Sequence, residues 1–163
     1  DALKANELYQ RSSQGSYQKG AQEDVASIGR GIAGDKGRVH VGFGTPLGGG
    51  FATPDAVAAE IDRQIISNYC LHPTNIYAYE MLNPGAAALP DTLTVEPGDC
   101  SREQFERRIA AMPREHQPFA LAIYANAIES KLALQTAASA PCTGKPSRPQ
   151  SGRPTALLLK VSC

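Results

Sequence analysis

Four side chains near the start of the chain have the chemistry to hold an anion. The cations Lys19, Arg30, Lys36 and Arg38 cluster within a short stretch. Guanidinium and ammonium groups bind phosphate through charge-assisted hydrogen bonds. These four cations could hold a phosphate or a lipid headgroup; a solvated face is the plainer alternative. Glu23 and Asp24 follow and fit the first turn of a helix, where negative charge meets the positive end of the dipole.

The remaining reactive types offer less. His40, His72 and His116 are the only histidines, no H-E-x-x-H occurs, and no two stand at metal-ligand spacing. Cys70, Cys100, Cys142 and Cys163 form no C-x-x-C pair, so neither zinc nor redox chemistry is expected. No G-x-S-x-G nucleophile turn is present. In Gly42-Phe43-Gly44-Thr45-Pro46-Leu47-Gly48 the third glycine comes one place too late for a dinucleotide loop. No catalytic residue, metal or cofactor is assigned, and whether the chain is an enzyme is left open.

The elements that must position these groups follow from periodicity. Val39, Val41 and Phe43 alternate with Arg38, His40 and Gly42, which predicts a strand at 38–44 with the apolar row buried. A lone strand needs neighbours for its backbone groups, and the sequence supplies few. Residues 2–10 favour helix by composition, and residues 22–33 read as a short helix stopped by Gly34. Thr53-Pro54 starts the strongest helix, expected to reach Leu71, with Val57, Ile61, Ile65 and Tyr69 on its core face. A short helix at 75–82, with Thr74 as its cap, follows His72-Pro73. Residues 83–99 form a connector, in which Thr92–Val95 is at most a short strand. Ser101 and Gln104 make a capping box for a helix at 101–112, and a last helix spans 118–134, the two forming a helical hairpin. From residue 135 the composition turns to Ala, Ser, Pro, Gly and Lys/Arg, and a disordered low-complexity tail is expected over 135–163.

The 163 residues suffice for one domain, and the formal net charge is zero. Up to residue 134 the chain carries 12 basic and 16 acidic residues, so no field for nucleic acid is expected. No run of apolar residues is long enough to span a membrane. The chain begins at Asp1 rather than Met, as a processed or truncated product would.

A longer pattern runs through these elements. Tyr17-Gln18-Lys19, Glu23-Asp24, Ser27-Ile28, Gly31-Ile32 and Gly34 lead into Lys36-Gly37-Arg38-Val39-His40-Val41 and Phe43-Gly44-Thr45-Pro46-Leu47. Ala59-Glu60-Ile61-Asp62-Arg63-Gln64-Ile65, Asn68-Tyr69 and His72-Pro73-Thr74-Asn75 continue it. Together they resemble the C-terminal part of bacterial glycerolipid acyltransferases that act on 1-acyl-sn-glycerol-3-phosphate. The resemblance covers residues 1–82 and extends less clearly through the connector and hairpin of 83–134. It implies an α/β fold, mostly helical in this chain, forming the C-terminal portion of an acyltransferase-type layer structure with an incomplete sheet. It also implies transfer of a fatty acyl chain from an acyl thioester to a lysophospholipid hydroxyl in phospholipid synthesis, with Tyr17, Lys19, Lys36 and Arg38 as the residues expected to touch substrate. The implied location is cytoplasmic, peripheral on the inner face of the cell membrane. The family's H-x-x-x-x-D pair, a histidine base and its orienting aspartate, is missing. Five places after His40, His72 and His116 stand Thr45, Tyr77 and Leu121, and no Glu-Gly-Thr phosphate signature occurs. The expectation is a fragment without its catalytic half, inactive alone. The alternative is a non-enzymatic helical interaction or membrane-surface module.

Overall fold

The computed structural model describes residues 1–34 and 38–139. Six helices occur among them: α1 (Ala2–Gln14), α2 (Glu23–Ala33), α3 (Pro54–Ser67), α4 (Pro73–Leu82), α5 (Arg102–Ala110) and α6 (Gln117–Ser139). The protein is mostly helical, and no strand forms among the described residues; the nearest approach is an isolated parallel bridge between Leu71 and Val95.

The axis of the fold is α6, against which α1, α3, α4 and α5 all pack. Its sequence explains this role. Ala120, Leu121, Tyr124, Ala125, Ala127 and Ile128 are buried and form one broad inward face, wide enough to meet several neighbours. Ala120, Leu121, Tyr124 and Ala125 meet Ala5 of α1, Ala78 of α4, and Phe105 and Ile109 of α5. The alanines let helix backbones approach closely, and Phe105 fills the space between, edge-on to Tyr124 with ring centroids 5.1 Å apart. Further along α6, Ala127 and Ile128 meet Leu71 and Leu93 in a second cluster. Burial of a Phe or Leu side chain stabilises by about 1.5–3 kcal/mol, so these two clusters hold the helices together.

Local signals set the helix ends. The Thr53 hydroxyl accepts from the Ala56 amide at 3.2 Å, with Pro54 as first residue. The expected box at α5 is present: the Gln104 amide donates to Ser101 Oγ at 3.3 Å, and the Ser101 amide donates to Gln104 Oε1 at 2.9 Å. Gly34 ends α2, and α1 ends at Gly15, whose φ of 75° only glycine adopts without strain.

Several expectations are corrected. α1 runs on to Gln14, past the expected end at residue 10. α3 ends at Ser67 rather than Leu71 because Leu71 is pulled into the second cluster and Pro73 keeps His72 extended. The cap of α4 is His72, not Thr74, and the His72 amide donates to Asn75 Oδ1 at 2.8 Å. α6 continues through Ser139, because 135–139 (Gln-Thr-Ala-Ala-Ser) still extends a helix that is already formed. Residues 140–163, the rest of the expected tail, lie outside the described residues.

The largest correction concerns 38–44. The segment is extended but makes no ladder, and its apolar row faces outward: Val39 and Val41 are 68% exposed and Phe43 91%. The physical reason lies in the other face. Gly42 and Gly44 lean against α3, where a Cβ on Gly42 would meet Asn68 at 3.5 Å and one on Gly44 would meet Gln64 Oε1 at 2.3 Å. Their missing side chains let the backbone approach α3 with its small-residue face, which turns the Val-x-Val-x-Phe row away.

Candidate functional site

The leaning of 38–47 against α3 creates an open groove of about 410 Å³. The extended segment runs antiparallel to the helix: Gly44 stands beside Gln64 and Gly42 beside Asn68. One wall therefore carries Leu47 with Ile61 and Ile65, and the other end gathers Arg38, His40, Asn68, Cys70 and His72. A smaller hollow of about 150 Å³ adjoins the polar end, lined by Arg38, Val39, His40, Cys70, His72 and Glu96. Volume and mixed lining fall in the range of small-molecule sites.

Arg38 and Gln64 are held from outside the groove. The Arg38 Nη1 donates to the Pro97 carbonyl at 2.5 Å, and among the described residues Arg38 enters no ion pair. The Gln64 Nε2 donates to Glu60 Oε1 at 2.9 Å, which leaves the amide oxygen turned toward Gly44. Arg63 also donates to Glu60, at 2.7 and 2.6 Å. Hydrogen bonds from Arg63 and then Gln64 hold the Glu60 carboxyl down at about 2. His72 is buried, with Nε2 3.6 Å from the half-buried Cys70 Sγ. Behind it, Asn75 Nδ2 donates to the Tyr124 carbonyl at 2.8 Å and ties the start of α4 to α6. Lys131 of α6 donates to the Ser67 carbonyl at 3.3 Å, placing a cation at the C-terminal end of α3; burial pushes its pKa down.

Of the four expected site residues, Arg38 lies in the groove. Tyr17 and Lys19 are engaged instead at the start of α2. The Tyr17 hydroxyl donates to the Glu23 carboxylate, and Lys19 pairs with Asp24 at 2.7 Å. The bond to Glu23 pushes the Tyr17 phenol up to about 12, and the bond to Asp24 raises the Lys19 pKa. Lys36 lies outside the described residues. His116 has a structural role, its ring centroid 5.0 Å from that of Tyr9, joining α1 to the start of α6. No group of three or more His, Cys, Asp or Glu side chains among the described residues is arranged to hold a metal ion.

Sequence reasoning missed the groove's other half: His40, Gln64, Asn68, Cys70 and His72. The available signal was Gly42 and Gly44 at alternating positions, a glycine face along a strand pattern, which marks close backbone approach as much as a turn. The arrangement can take an anion at its polar end and apolar groups along Ile61 and Ile65.

No protein-family profile, curated protein or solved structure matches this chain.

Proposed function

We propose that this chain is the C-terminal portion of an acyltransferase that moves a fatty acyl chain from an acyl thioester to a lysophospholipid hydroxyl. The catalytic His-x-x-x-x-Asp pair is supplied by a separate segment of polypeptide, and this chain alone is inactive. One observation carries the reading. Every groove residue except Gly42 and Cys70 belongs to the positions on which the acyltransferase resemblance rests. Residues distant in sequence, Arg38–Leu47 and Ile61–His72, are thereby gathered around one hollow. The outward Val39-Val41-Phe43 row adds support. Among the described residues no backbone group from Arg38 to Phe51 bonds to another backbone group, so this segment is free to join a sheet. With phospholipid precursors as substrates, the protein works in the cytoplasm at the inner face of the membrane.

The test is reconstitution. The purified chain is mixed with, and separately fused behind, the His-x-x-x-x-Asp half of a bacterial lysophosphatidate acyltransferase. Thiol release is followed with a long-chain acyl thioester and lysophosphatidate. Release from the mixture or fusion, and none from either part alone, is expected. Turnover by the chain alone, or silence of the fusion, would overturn the proposal.

A second reading, a non-enzymatic helical interaction or membrane-surface module, draws on α2. This helix packs on no other helix among the described residues, and Val25, Ile28 and Ile32 are all exposed along it. No helix among the described residues is long and apolar enough to cross a membrane. Co-sedimentation with phospholipid vesicles, abolished by Ile28→Asp while the groove is untouched, would favour this second reading.

A further inference from the structure

We infer that the groove between 38–47 and α3 binds a single-chain amphiphile with an anionic head, the head at Arg38 and the chain along Ile61 and Ile65. This deepens the acyltransferase reading by assigning a place to its acyl-bearing substrate, but it rests on the groove itself and is tested apart from catalysis.

Three observations carry it. First, the groove is divided along its length. Ile61 and Ile65 of α3 and Leu47 opposite are all more than 40% exposed, an apolar wall left open at one end. From Ile61 to Ile65 the helix rises about 6 Å at ~1.5 Å per residue, so the wall contacts part of an acyl chain lying along it.

Second, the opposite end favours negative charge. Arg38 is anchored by a single bond to the Pro97 carbonyl, which leaves most of its five N–H donors for a ligand. His40 adds a polar ring to the same end of the groove. No acid among the described residues lines the groove itself: Glu96 lines the adjoining hollow, and Glu60 is paired with Arg63. The C-terminal end of α3, which would repel an anion, is met by Lys131.

Third, the groove exists because of glycine. A Cβ at Gly44 would come within 2.3 Å of Gln64 Oε1, and one at Gly42 would come within 3.6 Å of the His40 ring. Side chains at both positions would occupy the passage between the polar and apolar ends.

The experiment is calorimetric titration of the full chain with dodecanoyl lysophosphatidate below its micelle concentration. Dodecanoate, dodecyl maltoside and inorganic phosphate are titrated alongside. Saturable one-to-one binding of both anionic amphiphiles is expected. Phosphate alone and the neutral maltoside should bind at least about tenfold more weakly. Arg38→Gln should weaken the anionic amphiphiles about tenfold without changing the maltoside. Ile65→Asp, at a position exposed enough to leave folding intact, should weaken all three chain-bearing ligands. Circular dichroism checks both variants. Tight binding of lysophosphatidate but not dodecanoate would restrict the head to phosphate and support the site. No binding, phosphate binding as tight as the amphiphile, or indifference to both variants would overturn it. A groove that binds while the reconstituted fusion stays silent would sink the acyltransferase reading and leave this site standing; a turning-over fusion with an empty groove would do the reverse.

Discussion

Replacing Asn75 by Ala probes the joint between the candidate site and the core. Asn75 is 3% exposed, and its side chain makes two bonds, accepting from the His72 amide and donating to the Tyr124 carbonyl, each at 2.8 Å. The two losses differ in size. The His72 amide lies at the buried first turn of α4, where no preceding turn can supply a partner, and orphaning such a donor costs about 1–3 kcal/mol. The Tyr124 carbonyl lies inside α6 and keeps its helical bond, so its second lone pair is worth only about 0.5 kcal/mol. A loss of about 2–3 kcal/mol is expected, of the order of a 5–10 °C drop in midpoint for a chain of this size. Urea denaturation followed by circular dichroism measures it, with the slope unchanged if the denatured state is unaffected. Thr53→Ala is the comparison. It removes an exposed cap and should cost about 0.5–1 kcal/mol, because water replaces the lost partner. An Asn75→Ala loss no larger than that of Thr53→Ala would refute the reasoning, since the buried bridge would then have no more effect than a surface cap.

Other outcomes follow from the same physics. Phe105→Ala empties the space between α4, α5 and α6 and should cost about 3–5 kcal/mol, a large part of the total stability, measured by the same denaturation; Phe105→Leu should recover more than half. Tyr17 should titrate near 12 by carbon NMR of its ring, against an ordinary 10.0; its pKa is raised in the fold, so its contribution is complete below pH 10 and fades as pH rises through about 12. Glu60, held at about 2 against an ordinary 4.5, works in the opposite sense: its contribution is complete above 4.5 and lost as pH falls through about 2, and Arg63→Gln should move its NMR titration back up.

Helices were legible because their signals are local. Thr53-Pro54, the Ser101–Gln104 box and the stop at Gly34 act within one turn of the residues that carry them. Phe105 and Ile109 of α5, and Leu121, Tyr124 and Ile128 of α6, are buried together because helical spacing puts each set on one side. The same spacing failed for α3, where Ile61 and Ile65 line an open groove rather than the core. Periodicity tells which residues share a face, not what that face meets. It failed more completely at 38–44, where the apolar row is outside and the glycine row inside.

The sequence by itself determined where α3 and α5 begin and where α2 ends, since the Thr53-Pro54 start, the Ser101–Gln104 box and Gly34 act through bonds to their immediate neighbours. It also placed Tyr17 and Lys19 within reach of Glu23 and Asp24, only a few residues away. Only the tertiary structure decided that α6 is the axis of the fold, that Leu71 leaves α3 to pair with Val95, and that Arg38 meets His72 across one groove. Those contacts join residues tens of positions apart. Their partners are chosen by fit and burial among all the elements together, which no local pattern encodes.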